Sequence, residues 1–490
     1  MVPAEQADIA AFLERLAGAK PVLTHISAVF IGAEMVWKLK LAVRLPFLDF
    51  TTIDARHRFL CRELALNAPA APGLYRDVVP VVRHDGDLML GEAGKEPALD
   101  WVLRMARVPP GDFLDVMARE NRIDPPLLDA IADSVAAYHA RLSAVRDVGQ
   151  AAVLRRIAEG NVRSARAAGL PEAPVTRWHE AMQATRAQWV AWLAAREADG
   201  FVRRGHGDLH LGNLCLWQGR PVPFDALEFD ETLATLDLGY DIGFLLMDLD
   251  RRVGRRAANR VLNRYVARTG DAGLVSFLHG FLSMRALIRS HVEAARGRPD
   301  AAGYLDAACA YLVPAPAPLV AIGGLQGTGK STLARDLAPG LGAAPGALIL
   351  RSDEWRKHLA GVAPEQHLPA EWYEPVANAR LNAALRDAAE RACIGGHAVI
   401  VDQTFLDPAQ RAAFVAVARR AGRRFRGIWL EAPLPMLEAR LASRRGDASD
   451  ATVAVLRRAV PDAIPPDDWQ RVDATDRKAA LAAIEAALAP

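Results

Sequence analysis

Residues 324–331 read Gly-Leu-Gln-Gly-Thr-Gly-Lys-Ser, and few runs of eight restrict a fold more. An apolar stretch, Leu319–Ile322, precedes them and a helix-forming stretch follows. Strand, glycine-rich loop, helix is the order that lets backbone N–H groups close round a polyphosphate at the positive end of a helix. Lys330 is then placed for the β- and γ-phosphates and Ser331 for Mg²⁺, with Gly324, Gln326, Gly327, Thr328, Gly329 and Thr332 completing the cradle. Strand-like and helix-like runs alternate from there: Leu319–Ile322, Leu333–Leu337, Ala347–Leu350, Asn378–Ala392, Ala398–Val401, Pro408–Ala421 and Arg426–Leu430. That alternation predicts an α/β domain with a parallel sheet over residues 319–490.

At 490 residues the chain exceeds a single core. The segment Tyr311-Leu-Val-Pro-Ala-Pro-Ala-Pro-Leu319 has prolines at alternating positions, which predicts an extended linker over 311–318. Residues 1–310 read as a separate α+β domain. Its small lobe, to about residue 105, carries strand-like runs at Ala28–Ile31, Met35–Leu41, Val78–Val82 and Leu88–Gly91 and a helix at Ile53–Leu66. A larger, helix-rich lobe occupies 106–310. Net charge is +2, so no global field recruits membrane or nucleic acid. The short run Arg423-Arg424-Phe425-Arg426 leaves nucleic acid a disfavoured partner without excluding it. Four scattered cysteines without a C-x-x-C pair, a start lacking a basic-then-apolar leader, and no apolar stretch long enough to cross a bilayer lead us to expect a cytoplasmic protein with reduced thiols. Oligomeric state is not legible in the sequence.

A second constellation lies upstream: His206-Gly207-Asp208-Leu209-His210-Leu211-Gly212-Asn213, then Asp225 in Pro223-Phe224-Asp225-Ala226-Leu227-Glu228-Phe229-Asp230. Phosphoryl transfer to a hydroxyl needs a carboxylate beside the acceptor and oxygen ligands for Mg²⁺. An Asp and an Asn five apart on one loop, with a second Asp on the next strand, can supply them. The pattern H-G-D-x-x-x-x-N resembles that of the aminoglycoside phosphotransferase and kinase-like superfamily. The resemblance implies a protein-kinase-like bilobal fold, Asp208 as base, Asn213 and Asp225 as metal ligands, and His206 as a brace. It also implies that Asp241, in Asp237-Leu-Gly-Tyr-Asp241, steadies the catalytic loop. In Val36-Trp37-Lys38-Leu39-Lys40, alternation puts both lysines on one strand face and Trp37 and Leu39 on the other. One lysine is expected to hold the α/β-phosphates with Glu63 as its partner. Lys38 is favoured because Val36 would then face the adenine. Lys40 stays open, and the lysine not used is expected to be an exposed edge-strand residue. Ile31-Gly32-Ala33-Glu34 lacks G-x-G-x-x-G, so the expected lid over a nucleotide is poor. Gly207 stands where a basic residue would serve a phosphorylated activation loop and no A-P-E follows, which disfavours a protein acceptor. Glu228 and Asp230 read either as ligands for a polyol or amino-sugar or as solvated acids.

Past the phosphate loop, Asp353 follows a strand end and Arg356 lies three residues on, one face of a helix bringing a base and a clamp together. This D-x-x-R resembles P-loop polynucleotide kinases and related small-molecule kinases, in which the Asp accepts the acceptor's proton. Asp402, closing the apolar run Ala398–Val401, fits the Walker B role toward Mg²⁺. Residues 437–451 resemble the lid of that group, and Arg440 and Arg444 within it read either as contacts to the transferring phosphoryl group or as a solvated basic face. Together the halves resemble a bacterial family joining an aminoglycoside-phosphotransferase-like domain to a P-loop kinase, over nearly the whole chain and including Thr24-His25-Ile26-Ser27 and Phe47-Leu48-Asp49-Phe50. The resemblance implies ATP chemistry and does not name the acceptor; the leading expectation is a Mg²⁺-ATP kinase with two nucleotide sites, phosphorylating hydroxyl groups of a sugar, amino-sugar or related small metabolite. Two alternatives stand beside it: a polynucleotide 5′-hydroxyl kinase with an accessory N-terminal domain, and a C-terminal kinase gated by a catalytically silent metabolite sensor.

Overall fold

A computed structural model describes residues 1–45, 48–444 and 446–489, with the side chains of 186–188 left aside; Phe47 and Arg445 lie outside the described residues. The chain divides into two compact units, Met1–Val153 with Ala195–Asp241, and Leu154–Ala194 with Ile242–Pro490.

In the first unit, six strands form an antiparallel sheet: β1 (Val22–Leu23), β2 (Ser27–Ile31), β3 (Met35–Lys40), β4 (Tyr75–His84), β5 (Asp87–Leu90) and β6 (Asp100–Ala106). Their order is β1-β2-β3-β6-β4-β5. Alternation along β3 has the expected consequence. Trp37 and Leu39 enter an apolar core with Phe30, Val102 and the inner face (Ile9, Ala10, Leu13) of helix α1, Ala7–Ala17. Lys38 and Lys40 turn to the opposite face, where helix α2 (Ile53–Asn67) lies along β4 and β6. Thr52 starts α2 by accepting the Ala55 N–H. Further along, the antiparallel hairpin β7 (Leu214–Trp217) and β8 (Arg220–Pro223) frames the segment between Asn213 and Asp225.

In the second unit, a five-stranded parallel sheet is built from β9 (Leu319–Gly324), β10 (Leu348–Arg351), β11 (Val399–Asp402), β12 (Phe425–Glu431) and β13 (Gln470–Asp473), in the order β10-β11-β9-β12-β13. The residues of β9, β10 and β11 are buried throughout, as a sheet covered on both faces requires. The last strand, β13, carries one buried residue in four, and neither it nor the helix Arg477–Leu488 that follows gave a sequence signal.

Compactness does not follow the proline segment. Residues 312–318 lack regular structure, but the helices before them pack with the parallel sheet. The physical reason lies on helix α3 (Arg255–Thr269), which runs beside the edge strand β10. Asn263 accepts the Ile349 N–H at 2.6 Å and donates to the Ala347 carbonyl at 3.2 Å, and Asn259 donates to the same carbonyl at 3.1 Å. A bare strand edge is thereby capped by two amides. Arg256 pairs with Asp336 at 3.0 Å and Arg264 with Glu365 at 2.5 Å along the same helix.

Candidate active sites

The first unit's site begins with β3. Lys38 Nζ lies 2.6 Å from Glu63 Oε1 and 2.7 Å from Asp225 Oδ1. Burial alone would lower the Lys38 ammonium, but Asp225, Glu63 and Glu228 outweigh it and hold its pKa well above that of an ordinary lysine. Burial likewise acts to raise the Asp225 carboxyl, and Lys38 outweighs it, leaving Asp225 below the usual carboxylate range. Asp225 sits at φ 60°, a left-handed conformation held by its N–H donating to the Tyr75 hydroxyl at 2.9 Å. Its neighbour Ala226 donates to Asn67 Oδ1 at 2.9 Å. Both Tyr75 and Asn67 went unnoticed in the sequence, where nothing sets them apart from core residues.

Lys40 is not the exposed residue expected of the lysine left over. Its side chain is fully buried, with Nζ 2.7 Å from Glu63 Oε2 and paired also with Glu228. Glu63 therefore spends one oxygen on each lysine. Glu228 is neither solvated nor turned toward an acceptor; it closes a buried ion pair. Burial pushes its carboxyl up, with Lys40 opposing. Asp230 caps the short helix Glu231–Ala234 by accepting the Leu233 N–H.

Asp208 and Asn213, five residues apart, are brought together. Asn213 Nδ2 donates to the Asp208 carbonyl and to Asp208 Oδ2, both at 2.9 Å. Asp208 lies close enough to Asp225 for its charge to act on that carboxyl. Asp241 accepts the His206 N–H at 2.7 Å and the Gly207 N–H at 2.9 Å, so it braces the loop from below. His206 accepts the Asp208 N–H at Nδ1 and faces the Phe224 carbonyl with Nε2 at 2.9 Å, which fixes a neutral ring; burial lowers its pKa accordingly. The lid segment is a tight turn in which Gly32 N–H donates to the Met35 carbonyl and Arg107 Nη1 donates to the carbonyls of Gly32 and Ala33.

The second unit's site is a chamber of about 890 Å³ at the C-terminal edge of the parallel sheet. Gly324 (φ 127°) and Gly327 (φ 86°) pass so close to the backbone that an added Cβ would fall 2.4 Å from the Leu430 carbonyl oxygen and 2.9 Å from that of Leu437. Only glycine fits at these two positions. Gln326, Gly327, Gly329, Lys330, Ser331 and Thr332 line one end of the chamber. Lys330 Nζ donates to the carbonyls of Gly324 (2.9 Å) and Leu325 (2.8 Å), and burial brings its pKa down to about 8. Thr328 hydroxyl donates to the Leu325 carbonyl at 2.8 Å, tightening the same turn.

Asp353, Arg356, Asp402 and Arg444 line the chamber with Lys330. Asp353 opens helix α4 (Ser352–Leu359). Burial pushes its carboxyl up while Arg351 opposes, a direction that suits a proton acceptor. Asp402 ends β11 with Oδ2 buried and without a hydrogen-bond partner. That oxygen, 3.7 Å from Arg351 Nε, lines the same chamber as Ser331, and a carboxylate and a hydroxyl are oxygen donors of the kind a hard cation takes, so the residues fit Mg²⁺. When bound, such a cation neutralises phosphate charge. Arg356 is held rather than free: Nη1 donates to the Trp372 carbonyl, Nη2 to Asn378 Oδ1 at 2.8 Å, and the guanidinium lies 4.6 Å from the Tyr373 ring centroid.

Arg440 departs from expectation. It does not line the chamber; it donates to the carbonyls of Gly327 (3.3 Å), Ala474 (3.0 Å) and Thr475 (3.2 Å) and so steadies the phosphate loop from outside. Sequence reasoning also passed over Arg351. Its buried guanidinium lies 3.7 Å from Asp402, 3.9 Å from Asp353, 3.5 Å from Glu354 and 2.5 Å from Asp447. One cation thus balances four acids, Asp353 and Asp402 of the chamber wall among them.

These features define two classes. One is a strand lysine paired with a helix glutamate beside an Asp–Asn loop, and the other is a glycine loop at the edge of a parallel sheet. Residues 319–462 match the family model of an AAA domain. Over 460 residues the chain is 30% identical to an uncharacterized protein of Mycobacterium tuberculosis (strain H37Rv), spanning 88% of this chain and 87% of that one; an uncharacterized protein of Mycobacterium bovis matches to the same extent. The chain belongs to the family of these mycobacterial proteins. Among solved structures it is similar to a gluconokinase from Sinorhizobium meliloti 1021 (19% identity, 35% of this chain and 93% of that one, TM-score 0.25). It is also similar to a choline kinase from Cryptosporidium parvum (11% identity, 60% and 87%, TM-score 0.37). Among the described residues, no helix is long and apolar enough to cross a membrane.

Proposed function

We propose that this protein is a Mg²⁺-ATP-dependent phosphotransferase with two nucleotide sites, each acting on a hydroxyl of a small molecule. The observation that carries the reading is the chamber itself: Asp353, raised by burial, shares it with Lys330, Ser331 and Asp402. In the second unit Lys330 and the loop N–H groups would hold the β- and γ-phosphates, Ser331 and Asp402 the cation, and Arg444 the charge that spreads over the transferring group. Asp353 would take the acceptor's proton. In the first unit Lys38, with Glu63, would hold the α/β-phosphates, Asn213 and Asp225 the cation, and Asp208 the acceptor hydroxyl. A sensor role for the first unit draws support from the pinned turn at Gly32, which would leave a nucleotide thinly covered.

The test uses the full chain. Lys330→Ala and Asp208→Asn proteins are each incubated with labelled ATP and a library of hydroxylated metabolites, and phosphorylated products are identified by mass. Products retained by Lys330→Ala and lost by Asp208→Asn belong to the first site; the reverse pattern belongs to the second. If Asp208→Asn keeps every turnover of the wild type, the first unit is a sensor and dual catalysis is wrong.

A further inference from the structure

Lys357 is one of seven lysines in the chain, and it is buried to 1% on helix α4. A buried ammonium needs a charged partner. It has one in Asp450, at 2.5 Å, from a segment that lines the chamber. Two other groups converge on the same carboxylate oxygen: the Tyr373 hydroxyl, and the Leu368 N–H at 3.1 Å. Three donors from α4 and the connection after it thus meet a single oxygen. Lys357 and Tyr373 hold the Asp450 carboxyl below its ordinary range against the opposing effect of burial. A second tie lies three residues back. Asp447 takes Arg351 at 2.5 Å, accepts the Ser449 N–H at 2.9 Å, and has Arg444 at 3.8 Å. Leu368, Tyr373 and Arg356 all line the chamber wall that Asp450 closes on, and Arg444 lines it too.

We propose that Asp450 is a positioning residue of the C-terminal site. By gathering Lys357, Tyr373 and Leu368 it latches residues 447–452 across the acceptor end of the chamber, and through Asp447 it sets where Arg444 stands. The closure stands on geometry alone; what it serves, delivery of Arg444 and exclusion of water, rests on the kinase reading given above. Nucleotide and acceptor would share the one chamber that this latch closes, so its strength governs exchange of both.

Full-length protein carrying Tyr373→Phe or Asp450→Asn is digested with dilute trypsin, and cutting between residues 444 and 446 is timed by mass spectrometry. Release of a fluorescent ATP analogue is followed in parallel, with Lys330→Ala protein giving the contribution of the other site to subtract. Cleavage tracks the open population when opening is fast. Loss of the charge-assisted bond in Asp450→Asn should speed cutting by roughly ten- to a hundredfold, and Tyr373→Phe by several-fold, with faster analogue release in both. Tyr373 is exposed enough that its variant folds even where Asp450→Asn leaves Lys357 stranded and does not; in that case Tyr373→Phe decides. Wild-type cutting in the folded variants overturns the latch. Faster cutting with unchanged release overturns its service to the site. Absence of analogue release from the Lys330 site in wild-type protein refutes the nucleotide reading and leaves the cutting result to judge the latch alone.

Discussion

The two lysines of β3 should part company under substitution. Asp225, Lys38, Glu63, Lys40 and Glu228 form a chain of alternating charge whose two ends lie three residues apart on one segment. Lys40 and Glu63 side chains are fully buried and Glu228 nearly so. In Lys40→Met, two carboxylates face each other in a dry interior. Breaking a buried pair in this way costs about 3–5 kcal/mol. Spread over a unit of 200 residues (153 plus 47), and at about 2–4 °C per kcal/mol, the loss lowers its melting temperature by roughly 6–20 °C. Lys38→Met is different. Asp225, with a side chain 44% exposed, can be solvated when its partner goes, and Glu63 keeps Lys40. About 1–2 kcal/mol is expected there, together with loss of nucleotide at this site. Calorimetry reads the first effect. Titration of a fluorescent ATP analogue into the Lys330→Ala background reads the second. Adding Glu228→Gln to Lys40→Met removes one orphaned acid and should return part of the lost stability, a non-additivity that independent sites would not show. If Lys40→Met melts within a degree of wild type, or if Lys38→Met is the less stable of the two, the division into one structural and one nucleotide-facing lysine is wrong.

Two further outcomes are expected. Lys330 titrates near 8 in the folded protein and near 10.5 when unfolded. As pH rises through about 8 the unfolded chain holds the proton longer, so the second unit gains stability while its affinity for ATP falls by up to about tenfold per unit; calorimetry and analogue titration across pH 7–10 measure both, and affinity flat over that range refutes a phosphate-facing ammonium. Asn263→Ala leaves the Ile349 N–H without its acceptor at a sheet edge, at a cost of about 1–3 kcal/mol; hydrogen exchange at Ile349 should quicken, and unchanged protection would mean α3 does not cap β10.

What the sequence made legible was local. The phosphate loop, the strand alternation of β3 and the Asp208–Asn213 spacing each lie within eight residues, and local rules place them. The runs that predicted β9, β10 and β11 were readable because a strand buried on both faces must be apolar throughout. Lys40 resisted because its partners arrive from Glu63 and Glu228, and periodicity tells which face a residue takes but not what covers that face. Arg440 was misplaced for the related reason that helical spacing with Arg444 ignores carbonyls brought in by β13 and its following loop. Compact units eluded a reading based on the proline run because a proline segment reports backbone stiffness, whereas Asn259 and Asn263 decide which sheet the preceding helix joins. Lys357 is a long-range partnership with a compositional trace: in a chain with 7 lysines among 60 basic residues, a lysine kept at a buried position marks a place where a compact ammonium, with three donors and no planar fork, fits. The same argument applies to Lys38, Lys40 and Lys330, each of which the structure places in a crowded polar interior.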